Sequence, residues 1–416
     1  MATPTSPLLN YIQKNGRTPP IQLNIYPLNA KDDSDPRPQV QLTQFLQYQF
    51  SSSVLIPVDA FTFTFTMPSQ TVEIYDNIVE GDTVQLVANG TIVCTGRVDT
   101  VDIETTTEGG DVVTIMGRNL LGKLEDDCAV NTLQNPMWGN KISLYHAVGA
   151  IIQGSNLRGL IDQNSPKGNF LFATSPGESK MSALMRFIEP LNCLIWGDPE
   201  GYIVVGRPDQ GLDAEVMGDI VCDRFNRVSN VNSIKAIRNS TQIPNLYLPV
   251  WTGQENVQTA IHKSQVFLNP ADGPKTLRLK GYNVQKCIIT SSPQGSDPQS
   301  LSDTNQIQIA NGQLLQAYAI REMYRDNMHE LIVQANVKGH YNDNLDPFLI
   351  DQVYNVNYSR AGVRERMYLY QVDYSCDAET GPKTSLNFCK LGTIVAGINT
   401  KSIAQSIINS GVLPIL

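Results

Sequence analysis

The sequence predicts a mainly β fold with a small α/β insert. Three observations carry the prediction. Apolar and polar residues alternate with period two before residue 117 and again after about residue 224, turn dipeptides punctuate the first region, and helical spacing is confined to short runs between the two. At 416 residues the chain exceeds the roughly 150 of a typical domain, so more than one core is expected.

Taken in order, residues 1–20 hold Pro4, Pro7, Pro19 and Pro20 around Leu8-Leu9-Asn10-Tyr11-Ile12 and read as an N-terminal arm without a core of its own. Residues 21–117 form the first antiparallel β-barrel domain. Phe61, Phe63 and Phe65 alternate with Thr62, Thr64 and Thr66, and further strands are expected at 83–87, 91–98 and 112–116. Asn89-Gly90 signals a type I′ hairpin, because both central residues need positive φ, and Gly109-Gly110 closes the next hairpin. Residues 118–223 read as an α/β domain. Ser143 caps a helix with Leu144, Ala147, Val148, Ile151 and Ile152 on one face, ending near Gly154. A second helix runs through Met181, Leu184, Met185, Phe187 and Ile188 to Pro190, and a hairpin follows with its turn at 197–201.

Residues 224–390 form the second β-barrel domain, interrupted by a polar loop near 291–303 and a helix at about 311–328. Strands are expected at 330–337, 352–358, 367–374 and 384–389. Residues 391–416, with Ile403, Ile407 and Ile408 at helical spacing, form a C-terminal arm. Neither arm can bury its apolar side chains alone, so both are expected to dock on a neighbouring chain.

The formal net charge of −9 argues against a protein that works by neutralising phosphates. Charged residues are 17% of the chain against roughly 25% in ordinary soluble proteins, and Gln, Asn, Ser and Thr make up the difference. Such a surface suits a protein buried against neighbours. No apolar run reaches the roughly 18–20 residues of a membrane span and no leader pattern opens the chain, so synthesis and folding in a cytosol are expected.

The 7 cysteines never fall in a C-x-x-C spacing and read as small buried apolar groups, and the 4 histidines lie far apart and read as surface or helix-end residues. No metal site, cofactor site or catalytic residue is expected. Glu125-Asp126-Asp127 is the densest acidic cluster, but adjacent carboxylates cannot flank one bond from opposite sides. Arg224, Arg227, Lys235 and Arg238, with Arg360, Arg364 and Arg366, read as solvated strand edges.

At Gly81-Asp-Thr-Val-Gln-Leu-Val, at Ile92-Val-Cys-Thr-Gly-Arg-Val-Asp99 and at Val112-Val-Thr-Ile-Met-Gly-Arg-Asn-Leu-Leu-Gly-Lys-Leu-Glu-Asp-Asp-Cys-Ala129, the chain resembles the baseplate hub proteins of Mu-like contractile-tailed phages, the late control and VgrG-like hubs. The resemblance covers roughly residues 20 to 390, and its most specific block runs from Gly117 and Arg118 through Leu124 and Asp126 to Ala129. Lys123 departs from it, standing where the family tends to carry an acid.

The resemblance implies two tail-tube-like barrels per chain and a homotrimeric ring in the virion's tail baseplate. A pseudo-sixfold face of that ring would meet the tail tube protein or a distal tube initiator, and a threefold face the central spike protein, with other baseplate proteins around it. It implies an axial channel for DNA during genome ejection, no stable nucleic-acid binding and no membrane insertion. Asp82, Asp99 and Asp102, in the acid-rich stretch from Glu73 to Asp111, are the candidate acids lining that channel. Two other readings stay open on sequence: a tail-associated cell-wall hydrolase and a peripheral receptor-binding tail protein.

Overall fold

The structure, a computed structural model, describes residues 7–15, 20–28, 37–66, 77–106, 110–129, 141–161, 169–171, 174, 177–188, 193–206, 208, 214–223, 228–239 and 326–394, and the backbone of strands at 246–252, 262–263, 267–268 and 285–291. The expected loop at 291–303, most of the helix at 311–328, Arg224, Arg227 and the C-terminal arm beyond 394 lie outside these residues.

The first region folds as β1 (Ile21–Tyr26), β2 (Val40–Leu42), β3 (Gln47–Ser53), β4 (Ile56–Thr66), β5 (Thr83–Ala88), β6 (Thr91–Thr106) and β7 (Gly110–Asn119). In β4, Phe61, Phe63 and Phe65 are buried while Thr62 and Thr66 face outward, the alternation read from the sequence. Asn89 and Gly90 have φ of 49° and 83°, as a type I′ turn requires. The middle region holds β8 (Lys141–Ser143), β9 (Gly159–Ile161), β10 (Asn169–Leu171), β11 (Leu194–Gly197) and β12 (Ile203–Gly206). The last region holds β13 (Val216–Asp223), β14 (Val228–Ser229), β15 (Ser233–Ile237), β16 (Leu246–Thr252), β17 (His262–Lys263), β18 (Phe267–Leu268), β19 (Gln285–Ser291), β20 (Ile332–Lys338), β21 (Gln352–Tyr358), β22 (Val363–Asp377) and β23 (Gly381–Lys390).

Helices are few: α1 (Pro7–Asn15), α2 (Gly122–Asp126), α3 (Leu144–Ile152) and α4 (Lys180–Ile188). Ser143 Oγ accepts from the His146 N–H at 3.4 Å and starts α3 where the sequence placed its cap. Leu121, Leu124, Leu144, Val148, Ile151, Leu184, Ile188 and the buried side chains of β11 and β12 form a separate core for this middle region. Part of the N-terminal arm folds back on its own chain: Leu8 packs against the main core and its N–H donates to the Asp343 carbonyl at 3.2 Å.

Two closed barrels were expected, and the described strands close none. Fourteen strands form one continuous sheet, and β2 and β14 end its main path with a single neighbour each. The cause lies in β22, whose fifteen residues serve three partners. One edge pairs with β23 from Met367 to Asp377, while the other is shared, Val363–Leu369 against β21 and Gln371–Cys376 against β3. The changeover falls at Tyr370, beside a register shift, where its carbonyl accepts from the Val54 N–H. That splice fuses the first and last regions into one sheet and one hydrophobic core, which contains Phe50, Phe61 and Phe63 from one side and Tyr354, Tyr374 and Phe388 from the other.

Candidate functional site

The sheet's outer face is a broad polar surface. From β6 through β7, β4, β3, β22, β23 and β20 to β15, each strand is antiparallel to the next, and the paired residues define rows across all eight. Asp102, Thr114, Thr64 and Gln47 make one row; Ser51, Asp373, Ser385, Asn336 and Ser233 continue another. Polar side chains bond one another across it: Ser51 donates to Asp373 at 2.5 Å, Thr64 and Thr114 are 3.1 Å apart, and Asn336 donates to Ser233 at 2.8 Å. It carries charges of both signs: Asp102, Glu104, Asp373 and Asp377 with Lys235, Lys338 and Lys383, and at one end Arg97 and Arg118 paired to Asp99, Glu125 and Asp126.

The most specific block of the resemblance, Gly117 to Ala129, sits at one end of this face. Gly117 lies on the core side, where a Cβ would fall 2.1 Å from the Arg97 carbonyl oxygen and 2.3 Å from Phe61 Cζ; only glycine lets β6 and the Phe61 ring approach so closely. Arg118 projects to the opposite side. Its guanidinium donates to Asp99 at 2.6 Å, to Asp126 at 2.9 Å and to Glu125 at 3.3 Å, and Arg97 joins Asp99 and Asp126. These bonds, that to Asp99 foremost, push the Arg118 pKa up. For Asp126 burial acts upward, but Arg118 and Arg97 outweigh it and hold the carboxyl below its usual range. The acidic cluster thus fastens α2 to the sheet. Leu124 is buried in the middle core, and Ala129 is buried with its N–H donating to the Glu178 carbonyl.

The three candidate channel acids separate. Asp102 is exposed on the polar face. Asp99 is half-buried between Arg97 and Arg118. Asp82 is 1% exposed and bound bidentately by Arg37 at 2.8 and 2.9 Å, while accepting from the Leu28 and Val79 N–H groups; it is an interior clamp on two loops.

Sequence reasoning missed two buried polar groups. Asp59 lies where the three regions meet, beside a cavity of about 220 Å³ whose walls include Asn119, Trp196, Pro199, Asp351 and Val372. Burial raises its pKa to about 7, against the opposing pull of hydrogen bonds from Asn119, Ser52 and the Ser53 N–H. Asn119 Nδ2 donates to Asp59 at 2.9 Å and to the Pro57 carbonyl, while its Oδ1 accepts from the Leu121 N–H. The β11–β12 turn closes on the same spot, Thr95 donating to the Pro199 carbonyl at 2.7 Å. One signal was present: Asp59 falls in phase with the core-facing Phe61, Phe63 and Phe65.

His340, expected at the surface, is instead 1% exposed and stacked on Tyr374 at 4.5 Å. Thr384 Oγ1 donates its proton to the Gly339 carbonyl, so it accepts from His340 Nδ1–H at 2.7 Å. Nε2 then accepts from the Tyr48 hydroxyl at 2.6 Å. Burial lowers the histidine pKa to about 3. This neutral imidazole pins β3 to the last region. The thiols divide too: Cys94, Cys193 and Cys389 are buried as expected, whereas Cys128, at the end of the acidic cluster, is exposed.

The fold defines a class. The chain has the architecture of a tail protein from Neisseria meningitidis MC58, with TM-score 0.66, 16% identity, and coverage of 91% of this chain and 99% of that one. The 43 kDa tail protein of prophage MuSo2 from Shewanella oneidensis follows it with TM-score 0.65, 14% identity, and coverage of 90% and 99%. An Escherichia coli type VI secretion component, described as similar to the bacteriophage T4 tail proteins gp27 and gp5, reaches TM-score 0.50 at 8% identity over 88% and 76%. At these identities the likeness is one of fold. More particularly, residues 41–119 match the family described as Mu phage baseplate assembly protein GpP-like, N-terminal. No curated protein matches the chain by sequence.

Proposed function

We propose that the chain is a structural subunit of a phage tail baseplate: the hub, a homotrimeric ring that joins the tail tube to the central spike and leaves an axial channel for DNA. The observation that carries this reading is the baseplate-family match over residues 41–119, inside a chain that follows tail-protein architecture over nine-tenths of its length. The two β regions, before residue 117 and after about residue 224, are the natural pseudo-equivalent units of such a ring, and the splice through β22 holds them in one sheet.

The polar outer face supports the channel role. A duplex passes most freely over a surface that neither neutralises its phosphates nor presents stacking partners, since each engaged Lys or Arg adds affinity through counterion release. Asp102 is the candidate channel acid that the surface exposes; Asp99 contributes through its arginine pairs.

Electron microscopy of the assembled tail with this protein labelled is expected to show three copies on the axis between tube and spike. A peripheral position or a single copy per tail overturns the hub reading. Salt-sensitive duplex binding by the purified protein at physiological ionic strength overturns the channel assignment of the polar face. Muramidase activity on purified cell wall would instead support the hydrolase reading.

A further inference from the structure

The cavity where the three regions meet is walled in a way that its own residues leave electrically unbalanced. Among the described residues that line it are three carboxyl groups, Asp59 on β4, Asp198 in the β11–β12 turn and Asp351 just before β21, and no lysine, arginine or histidine. Much of the remaining wall is apolar, with the buried rings of Phe50, Trp196 and Phe348. The cavity, about 220 Å³, far exceeds the roughly 30 Å³ share of one water, and an apolar cavity of about 150 Å³ already holds benzene. A small organic molecule fits.

Asp59 tells which kind. The donors around it suit an ionised carboxylate: Asn119 Nδ2 reaches one oxygen at 2.9 Å, the Ser53 N–H lies 3.3 Å from the other, and the Ser52 side chain adds a third bond. A neutral carboxyl would carry a proton of its own into a site already supplied with donors. Burial opposes the charge and raises the pKa to about 7, and no cation in the walls offsets it.

The neighbouring titratable groups do not help. Cys94, from β6, is a buried thiol whose own pKa is pushed up by burial and by Asp59. The other two acids of the cavity are each engaged by a neutral donor, Asp198 by the Glu200 N–H at 2.7 Å and Asp351 by the Tyr368 hydroxyl at 2.7 Å. What the site lacks is positive charge.

We propose that this cavity binds a small organic cation, a primary ammonium on a compact apolar body, with the ammonium on the Asp59 carboxylate and the body against Phe50, Trp196 and Phe348. The ammonium completes the hydrogen bonding of a carboxylate that the fold has prepared for ionisation, and the aromatic walls accept both apolar surface and positive charge. Because the walls come from all three regions, an occupant ties them together. The proposal stands on the cavity alone and is independent of the hub reading.

Benzylamine is the probe, titrated calorimetrically into the purified full chain, with benzyl alcohol and benzoate as neutral and anionic counterparts of similar shape. With about eight non-hydrogen atoms, benzylamine should bind with a Kd of about 1 mM or below. It should bind about tenfold or more tightly than either counterpart, the worth of one charge-assisted hydrogen bond. Asp59 must be ionised to receive the ammonium, so the affinity should rise about tenfold between about pH 6 and pH 8, while that of benzyl alcohol stays level. Asp59→Asn should abolish both the preference for the amine and its pH dependence.

No saturable heat up to about 10 mM benzylamine, ten times the weakest Kd expected, overturns the proposal. So do equal affinities for the amine and the alcohol, and so does amine binding that Asp59→Asn leaves unchanged. The three ligands on the unaltered chain read the charge preference without any variant, so the test decides even where Asp59→Asn fails to fold. None of these outcomes touches the hub reading, which electron microscopy tests separately.

Discussion

Replacing Asp59 by Asn should expose a pH dependence that the native chain conceals. The Asp59 carboxyl titrates at about 7 in the fold against 3.8 for a free side chain. Its stabilising contribution is fully present below about pH 4 and is lost as pH rises through 7, because the folded state holds a proton that the unfolded state has released. His340 has the opposite sign. Its folded pKa of about 3, against 6.5 when free, gives a contribution fully present above about pH 6.5 and lost as pH falls towards 3. Each group alone sets a slope of about 1.4 kcal/mol per pH unit, so between about pH 4 and 6.5 the two cancel. Asp59→Asn leaves the histidine slope uncompensated. The stability difference, variant minus native, should grow by about 4 kcal/mol from pH 4 to pH 7, three units at the slope just given. Urea unfolding followed by tryptophan fluorescence suits the measurement, since Trp196 lines the same cavity as Asp59. Profiles for the two proteins that stay parallel within about 1 kcal/mol across this range would refute the reasoning and show Asp59 ionised in the fold.

Asn119→Ala strands the Leu121 N–H and the Pro57 carbonyl beside Asp59, and urea titration should register a loss of about 2–4 kcal/mol. Tyr48→Phe takes the donor from His340 Nε2 and should cost about 1–3 kcal/mol by the same assay; an unchanged midpoint would contradict the tautomer assigned here. Two glycines give a matched pair. Gly117→Ala forces β6 and Phe61 apart and should prevent native folding or lower the melting temperature steeply. Gly149→Ala, exposed in α3 with open space around its Cα, should stabilise by about 0.5–1 kcal/mol.

Much of the local structure was legible in the residues themselves. Phe61 to Thr66 could only be a half-buried strand, Asn89-Gly90 supplied both positive φ angles, and Ser143 before an apolar 3.6-residue period marked the start of a helix. These are decisions made within a few residues, where side-chain period and backbone sterics suffice. The match of residues 41–119 to a baseplate family covers the hairpins whose motifs carried part of the resemblance and ends just past Gly117-Arg118 on β7, short of Leu124, Asp126 and Ala129. The channel acids were less legible, since Asp82 and Asp102 look alike in sequence, and it is Arg37, 45 residues from Asp82, with the Leu28 and Val79 N–H groups, that holds one inside.

What the tertiary structure alone decided is which edges meet. An alternating strand can pair with any other alternating strand, so nothing local told that β22 would leave β21 at Tyr370 and take up β3, joining Ser51 to Asp373 across 322 residues and replacing two barrels by one sheet. The same holds for Asp59 and His340. A polar side chain is kept inside by the partners that distant segments bring to it, Asn119 for the one, Tyr48 and Thr384 for the other. Burial of a polar group is therefore a property of the assembled neighbourhood, whereas the period of a strand belongs to the chain.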